Sequence, residues 1–139
     1  MFRRILIALL ILLAASSALA SELLVTIDLS EQSMRVSVDG VTEHRWKVST
    51  GRKGYPTPIG TFRPIRMYRS YFSTKYDNAP MPHAIFFYRG YAMHGTMEVK
   101  ALGRPVSHGC VRLHPTNAAI LFALVEEIGA TSTVIRIRR

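Results

Sequence analysis

From residue 23 onward, apolar positions alternate with polar ones at a period of two. Met34, Val36 and Val38 interleave with Arg35, Ser37 and Asp39, the pattern of a strand with one face against a core and the other in water. Asp39-Gly40 then offers a tight hairpin turn before a second run through Trp46 and Val48. Leu23 to Leu29 reads as a strand ahead of that hairpin, Ala84 to Tyr88 and Tyr91 to His94 as two more, and Thr133 to Ile137 as a short β-branched strand at the close. The middle is punctuated by Gly51, Gly54, Pro56, Pro58, Gly60 and Pro64, which excludes a long helix and predicts a loop with fixed turns before Thr61-Phe62. Only Ile120, Leu121, Leu124, Val125 and Ile128 recur at helical spacing, with Thr116 or Asn117 able to cap the start and Gly129 the end. A mainly β, sandwich-like fold with one principal α-helix follows, without repeat, linker or low-complexity tract.

The first 20 residues break this pattern. Arg3 and Arg4, the unbroken aliphatic run Ile5 to Leu13 and the A-x-A site Ala18-Leu19-Ala20 have the three parts of a secretory signal peptide, so residues 1–20 are expected to be removed and the protein exported to the periplasm or cell wall. The alternative is an uncleaved anchor, because the apolar stretch Ile5 to Ala15 is only somewhat shorter than the ~17–20 residues that span a bilayer. No cysteine lies near the cleavage site to carry a lipid. Of 139 residues, 119 remain as residues 21–139, enough for one domain and one core, expected to act as a monomer. The net charge of +9 falls to +7 without Arg3 and Arg4. Such a charge attracts polyanions, which for an exported protein means wall polymers and lipid headgroups, though a solvated basic surface explains it equally well. The basic residues are dispersed and not interleaved with aromatics, so no nucleic-acid platform is expected.

Export makes the single cysteine informative. Cys110 sits in Ser107-His108-Gly109-Cys110-Val111-Arg112-Leu113, and an exported protein normally pairs its thiols or lacks them. A lone thiol flanked by histidine and arginine reads as a nucleophile, and it needs a neighbouring base or a positive field because its ordinary pKa of ~8.5 leaves it protonated at neutral pH. His94, in Met93-His94-Gly95-Thr96, His108 and His114 are the histidines near it in sequence. The sixteen positions from His94 to Cys110 allow two adjacent strands joined by a loop, which would bring the imidazole beside the sulfur. Gly109 suggests an irregular turn that aims amide groups at an oxyanion.

The Ser107-to-Leu113 element, the upstream His94-Gly95 pair, Ser49-Thr50-Gly51 and Thr57-Pro58-Ile59-Gly60-Thr61-Phe62, taken in this order, resemble the catalytic domain of the L,D-transpeptidases, the YkuD-like domain. The resemblance covers nearly all of residues 21–139. It implies a mainly β fold whose cysteine cleaves a peptidoglycan tetrapeptide stem between its third, diamino acid residue and the terminal D-alanine, forming a thioester that an acceptor resolves. Carried over by position, Cys110 is the nucleophile and His94 the general base, with the Gly95 carbonyl orienting the imidazole. His108, Gly109 and Cys110 form the turn whose N–H groups hold the oxyanion, and Arg112, with Ser107, falls on the substrate side. No metal or organic cofactor is required. The acceptor is left open among a second stem, an outer-membrane protein, a free D-amino acid and water; with water the enzyme is an L,D-carboxypeptidase.

Two readings of other classes compete. His94, His108, Cys110 and His114 are chemically able to form a tetrahedral zinc site, although their spacing matches no familiar finger. A wall-binding module without catalysis would suit the basic charge and small size. His44 and His83 receive no role, and Phe86, Phe87, Tyr88 and Tyr91 are expected to form core and pocket wall. Only 12 residues separate Gly95 from His108, which leaves little room there for a large lid.

Overall fold

The protein is described by a computed structural model over residues 19–139. All but the last two residues of the expected signal peptide lie outside the described residues. Among the described residues nine strands form two sheets. The first holds β1 (Leu23–Asp28), β2 (Ser33–Val38), β3 (Val41–Lys47), β4 (Gly60–Phe62) and β9 (Thr133–Arg138), in the order β3-β2-β1-β9-β4. The second holds β5 (Arg66–Tyr68), β6 (Ala84–Tyr88), β7 (Tyr91–Gly95) and β8 (Val111–Leu113), in that order. Helix α1 (Pro115–Ile128) packs against β7 and touches β1 and β6.

The alternation seen in the sequence sets which face goes inward. Leu23, Val25 and Ile27 of β1, Met34 and Val36 of β2, and Ile135 and Ile137 of β9 meet Ile85 and Phe87 of β6, Met93 of β7, and Val111 and Leu113 of β8 in one buried core. Asp39 and Gly40 both take positive φ (50° and 81°), which suits a two-residue hairpin whose twist matches the flanking strands. The closing strand runs parallel to β1 in the middle of the first sheet, so the last element of the chain is central to the core.

The helix departs from expectation at its start and its stripe. Thr116 and Asn117 lie inside it; the cap is His114, whose Nδ1 accepts the Thr116 N–H at 3.1 Å, with Pro115 in the first turn where a missing N–H costs nothing. The buried positions are Ala118, Leu121, Phe122 and Val125, with Leu124 and Ile128 only flanking the core. Gly129 ends the helix as expected. The sequence reading did not anticipate β4, β5 or β8 as strands. Each is three residues long, too short for a period of two to register.

Candidate active site

Strands β7 and β8 pair in parallel, with Met93 opposite Val111, His94 opposite Arg112 and Gly95 opposite Leu113. Met93, Val111 and Leu113 point into the sandwich core. Their neighbours His94 and Arg112 therefore point to the sheet's outer face, as does Cys110, which packs with Ala92 and Phe86 in a second apolar cluster there. The parallel crossover between β7 and β8 is thus what brings together residues sixteen positions apart. The outer face opens into a cleft of about 340 Å³ whose lining includes His94, Cys110, Arg112, Thr96, Phe86 and His108.

His94 is buried, and its Nδ1 lies 2.7 Å from the Gly95 carbonyl oxygen. A carbonyl only accepts, so Nδ1 carries the proton and Nε2 keeps its lone pair. Burial pushes the imidazole pKa down from 6.5 to about 4; the Gly95 bond opposes this and the Arg112 guanidinium adds to it. Cys110 is a half-buried free thiol. Burial raises its pKa, outweighing the Ala92 backbone and Arg112, which both pull it down. Both groups therefore rest neutral near pH 7, and a reaction at this sulfur would need a base to take its proton. Arg112 is partly covered and reaches Glu98 at 3.5 Å.

The turn before Cys110 is fixed from behind. The Ser107 hydroxyl accepts the Gly109 N–H at 3.0 Å and donates to the Cys110 carbonyl at 2.6 Å. Thr57 donates its hydroxyl to the Gly109 carbonyl at 2.8 Å and accepts the Gly51 N–H at 2.9 Å. Gln32 reaches the same frame, accepting the Thr50 N–H at 2.9 Å and donating to the Thr50 hydroxyl. Gly109 has φ of +117°, and a Cβ there would sit 2.6 Å from the Tyr91 ring, so glycine is required on both counts.

Two expectations change as a result. Ser107 is fully buried with both hydrogen-bonding functions used inside the turn, so it shapes the turn and does not meet substrate. The Gly109 N–H is likewise committed to Ser107 and is not free for an oxyanion. Among the described residues the Cys110 N–H has no partner within the chain.

His108 lines the cleft but faces a different set of groups. Its ring stacks on Tyr76 at 4.2 Å and meets Tyr55 edge-on at 4.9 Å, and its Nε2 lies 3.2 Å from the Arg52 guanidinium. Guanidinium only donates, so that lone pair is occupied. Burial, with Arg52, Arg112 and Lys75 nearby, lowers its pKa. With His114 capping the helix and His108 held by Arg52, the four candidate zinc ligands do not converge; among the described residues no group of three or more His, Cys, Asp or Glu is placed to hold a metal.

One wall escaped the sequence reading. The β5–β6 connection folds over the cleft as a hairpin-like flap. Its arms are tied by His83 N–H to Arg69 O (2.8 Å), Met81 N–H to Tyr71 O (2.7 Å) and Ser73 N–H to Ala79 O (2.9 Å). Tyr71, Ser73, Thr74, Lys75 and Tyr76 line the cleft from this side. The cover thus comes from a segment upstream of both chemical motifs, not from the short stretch between them. Its readable signal was the cluster Tyr71, Phe72 and Tyr76 inside a loop closed by Pro80 and Pro82.

Residues 22–136 match the L,D-transpeptidase catalytic domain of the YkuD family. The chain belongs to this family. Solved structures of L,D-transpeptidases share the fold. An L,D-transpeptidase from Mycobacterium smegmatis superposes with a TM-score of 0.75 at 25% identity, covering 86% of this chain and 59% of that one. One from Stackebrandtia nassauensis gives 0.73 at 26%, covering 85% and 56%. L,D-transpeptidase 3 from Mycobacterium tuberculosis, in complex with a faropenem-derived adduct, gives 0.74 at 22%, covering 86% and 61%. The chain therefore spans less than two thirds of these relatives. No curated protein matches it.

Proposed function

We propose that the protein is an exported cysteine L,D-transpeptidase acting on peptidoglycan tetrapeptide stems. The observation that carries this reading is the β7–β8 pairing, which sets His94 and Cys110 on one outward face of one cleft, with the His94 Nδ1 proton tied to Gly95. Membership of the YkuD family supports this substrate class.

The chemistry begins with both groups neutral. As Cys110 Sγ attacks the carbonyl carbon before the terminal D-alanine, its proton passes to His94 Nε2, so the thiolate forms only as the C–S bond does. The Cys110 N–H, left without a partner in the chain, meets the oxyanion, and Arg112 meets the stem's carboxylate in the cleft. Collapse breaks the amide bond; the D-alanine amine leaves with the proton from His94, and a thioester remains on Cys110. An acceptor amine then attacks the thioester, gives its proton to His94 and returns the thiol. Gly95 holds the tautomer throughout, Ser107 and Gly109 hold the turn, and His108 anchors the flap. A bound amine has an effective concentration far above its bulk value, which favours transfer over hydrolysis. Imipenem and faropenem complexes of fold relatives accord with a site that accepts strained acyl carbons.

Incubation with purified tetrapeptide muropeptides and product analysis by mass tests this reading. Release of D-alanine with dimers joined between two diamino acid residues is expected. Tripeptides and free D-alanine alone, even at high acceptor concentration, would make the enzyme an L,D-carboxypeptidase.

A further inference from the structure

The face of the molecule opposite the cleft carries its own pattern. In the five-stranded sheet Val25, Ile27, Met34, Ile135 and Ile137 point inward, so the residues between them point out. Strand register aligns those outward residues into rows across the sheet. Arg45 pairs with Arg35, Arg35 with Thr26, Thr26 with Arg136, and Arg136 with Thr61. The next outward row reads Lys47, Ser33, Asp28, Arg138. Five cations on three strands, β3, β2 and β9, thus occupy two adjacent rows, against one carboxylate.

That carboxylate is engaged already. Asp28 accepts from the Ser30 hydroxyl at 2.7 Å and the Glu31 N–H at 3.0 Å, and lies 4.0 Å from Arg138. Among the described residues Arg35, Arg45, Lys47 and Arg136 have no ion-pair partner. Glu43 is the unpaired residue of the bulge opposite Val36/Ser37 and belongs to neither row. Arg35 and Arg45 face each other directly, an arrangement that costs stability in a sheet unless something anionic lies over it.

We infer that this outer sheet face docks on an anionic phospholipid bilayer. A linear polyanion would be expected to lie in a groove or along a line of cations. Here the cations spread in two dimensions over an open sheet, with neighbouring strands ~4.8 Å apart, which matches a planar carpet of phosphates. The two sheets pack face to face, so their outer faces point in opposite directions, and docking by Arg35, Arg45 and Arg136 would turn the Cys110 cleft away from the bilayer. The inference rests on charge and register, not on the catalytic reading, and its test involves no turnover.

The test is co-sedimentation of the purified protein with vesicles of phosphatidylglycerol and phosphatidylethanolamine, against phosphatidylcholine vesicles, over a salt series. The apolar N-terminal run, where retained, contributes equally to parent and variant. Stronger binding to the anionic vesicles that fades toward 0.5 M salt is expected. The triple variant Arg35→Gln/Arg45→Gln/Arg136→Gln should lose up to ~100-fold in that binding, since each cation near an anionic leaflet is worth about fivefold. Arg35→Lys/Arg45→Lys/Arg136→Lys should keep most of it, which separates lost charge from a damaged sheet. Lys53→Gln/Arg89→Gln/Lys100→Gln, with the same charge removed elsewhere, should lose far less. Equal losses in the two neutralised triples would reduce the effect to net charge and overturn the proposal. So would binding indifferent to lipid charge, or binding to isolated wall polymer with none to vesicles.

Discussion

The cleft's floor and its cover are held by different forces. The floor consists of β7, β8 and the turn from Ser107 to Cys110, locked by buried hydrogen bonds from Ser107, Thr57 and, through Thr50, Gln32. The cover, residues 69–83, is a two-armed flap whose tip touches the rest of the site through a stack between Tyr76 and His108, next to the exposed Lys75. Buried, satisfied polar networks fix geometry, whereas a half-buried ring stack is worth ~0.5–1.5 kcal/mol and opens readily. On the proposed function, the chemistry that needs sub-ångström positioning would use the floor, and the passage of a bulky stem in and out would fall to the cover.

The sharpest way to break this contrast is to remove the floor's reactive atom. Cys110→Ala should abolish covalent adduct formation with a carbapenem, read by intact mass, while leaving thermal unfolding nearly unchanged. An adduct in the variant would place the nucleophile elsewhere. Next comes the base. His94→Gln should slow acylation by roughly 10² to 10⁴, and His108→Gln by less than tenfold, because the His108 lone pair already faces Arg52. The reverse ranking in folded proteins would exchange their roles.

The buried imidazole also makes a statement about pH. His94 titrates at about 4 in the fold against an ordinary 6.5, so the unfolded chain binds the extra proton first as pH falls. Stability from this group is complete above pH 6.5 and declines between 6.5 and 4, by about 3 kcal/mol in all. Catalytic competence should persist lower than for an ordinary histidine. The acid limb of acylation should lie near pH 4, measured by stopped-flow adduct formation; a limb at 6.5 would mean the imidazole is solvated in the working enzyme.

Much of the floor was readable from the chain because it is local. Alternation, apolar runs and β-branched residues located β1, β2, β3, β6, β7 and β9, the Ser107-to-Leu113 run marked the segment that carries Cys110, and sixteen residues gave room for two adjacent strands that place His94 beside it. What was not readable depends on partners distant in sequence. The commitment of the Gly109 N–H to Ser107 follows from a turn closed by Thr57, and the loss of Ser107 as a substrate contact from its burial. That His114 and not Thr116 caps the helix is decided by where β8 ends. The flap escaped because its meaning is a contact between positions 76 and 108, which no periodicity encodes.

Thr57 offers a graded test of the floor. It is buried, and its hydroxyl bridges the Gly51 N–H and the Gly109 carbonyl, so Thr57→Val leaves both without their partner. A loss of about 1–3 kcal/mol is expected, visible as a lower midpoint in urea unfolding. Acylation should also slow, because the turn that aims the Cys110 N–H is no longer pinned. An unchanged midpoint would show that the frame around Gly109 is held by Ser107 alone.

The smallest effect belongs to the cover. Tyr76→Ala deletes the ring stacked 4.2 Å from His108 and frees the flap tip, yet touches none of the bonds that hold Cys110 or His94. A stack worth ~0.5–1.5 kcal/mol corresponds to a change of roughly two- to tenfold. If the stack closes the cleft over bound substrate as much as over the transition state, that change should fall on KM for tetrapeptide stems and leave kcat within about twofold. Small β-lactams, which need little of the cover, should acylate the variant at nearly the parent rate. If Tyr76→Ala instead lowered kcat while sparing KM, the cover would be part of the positioning machinery, and the division between a rigid floor and a yielding cover would fail.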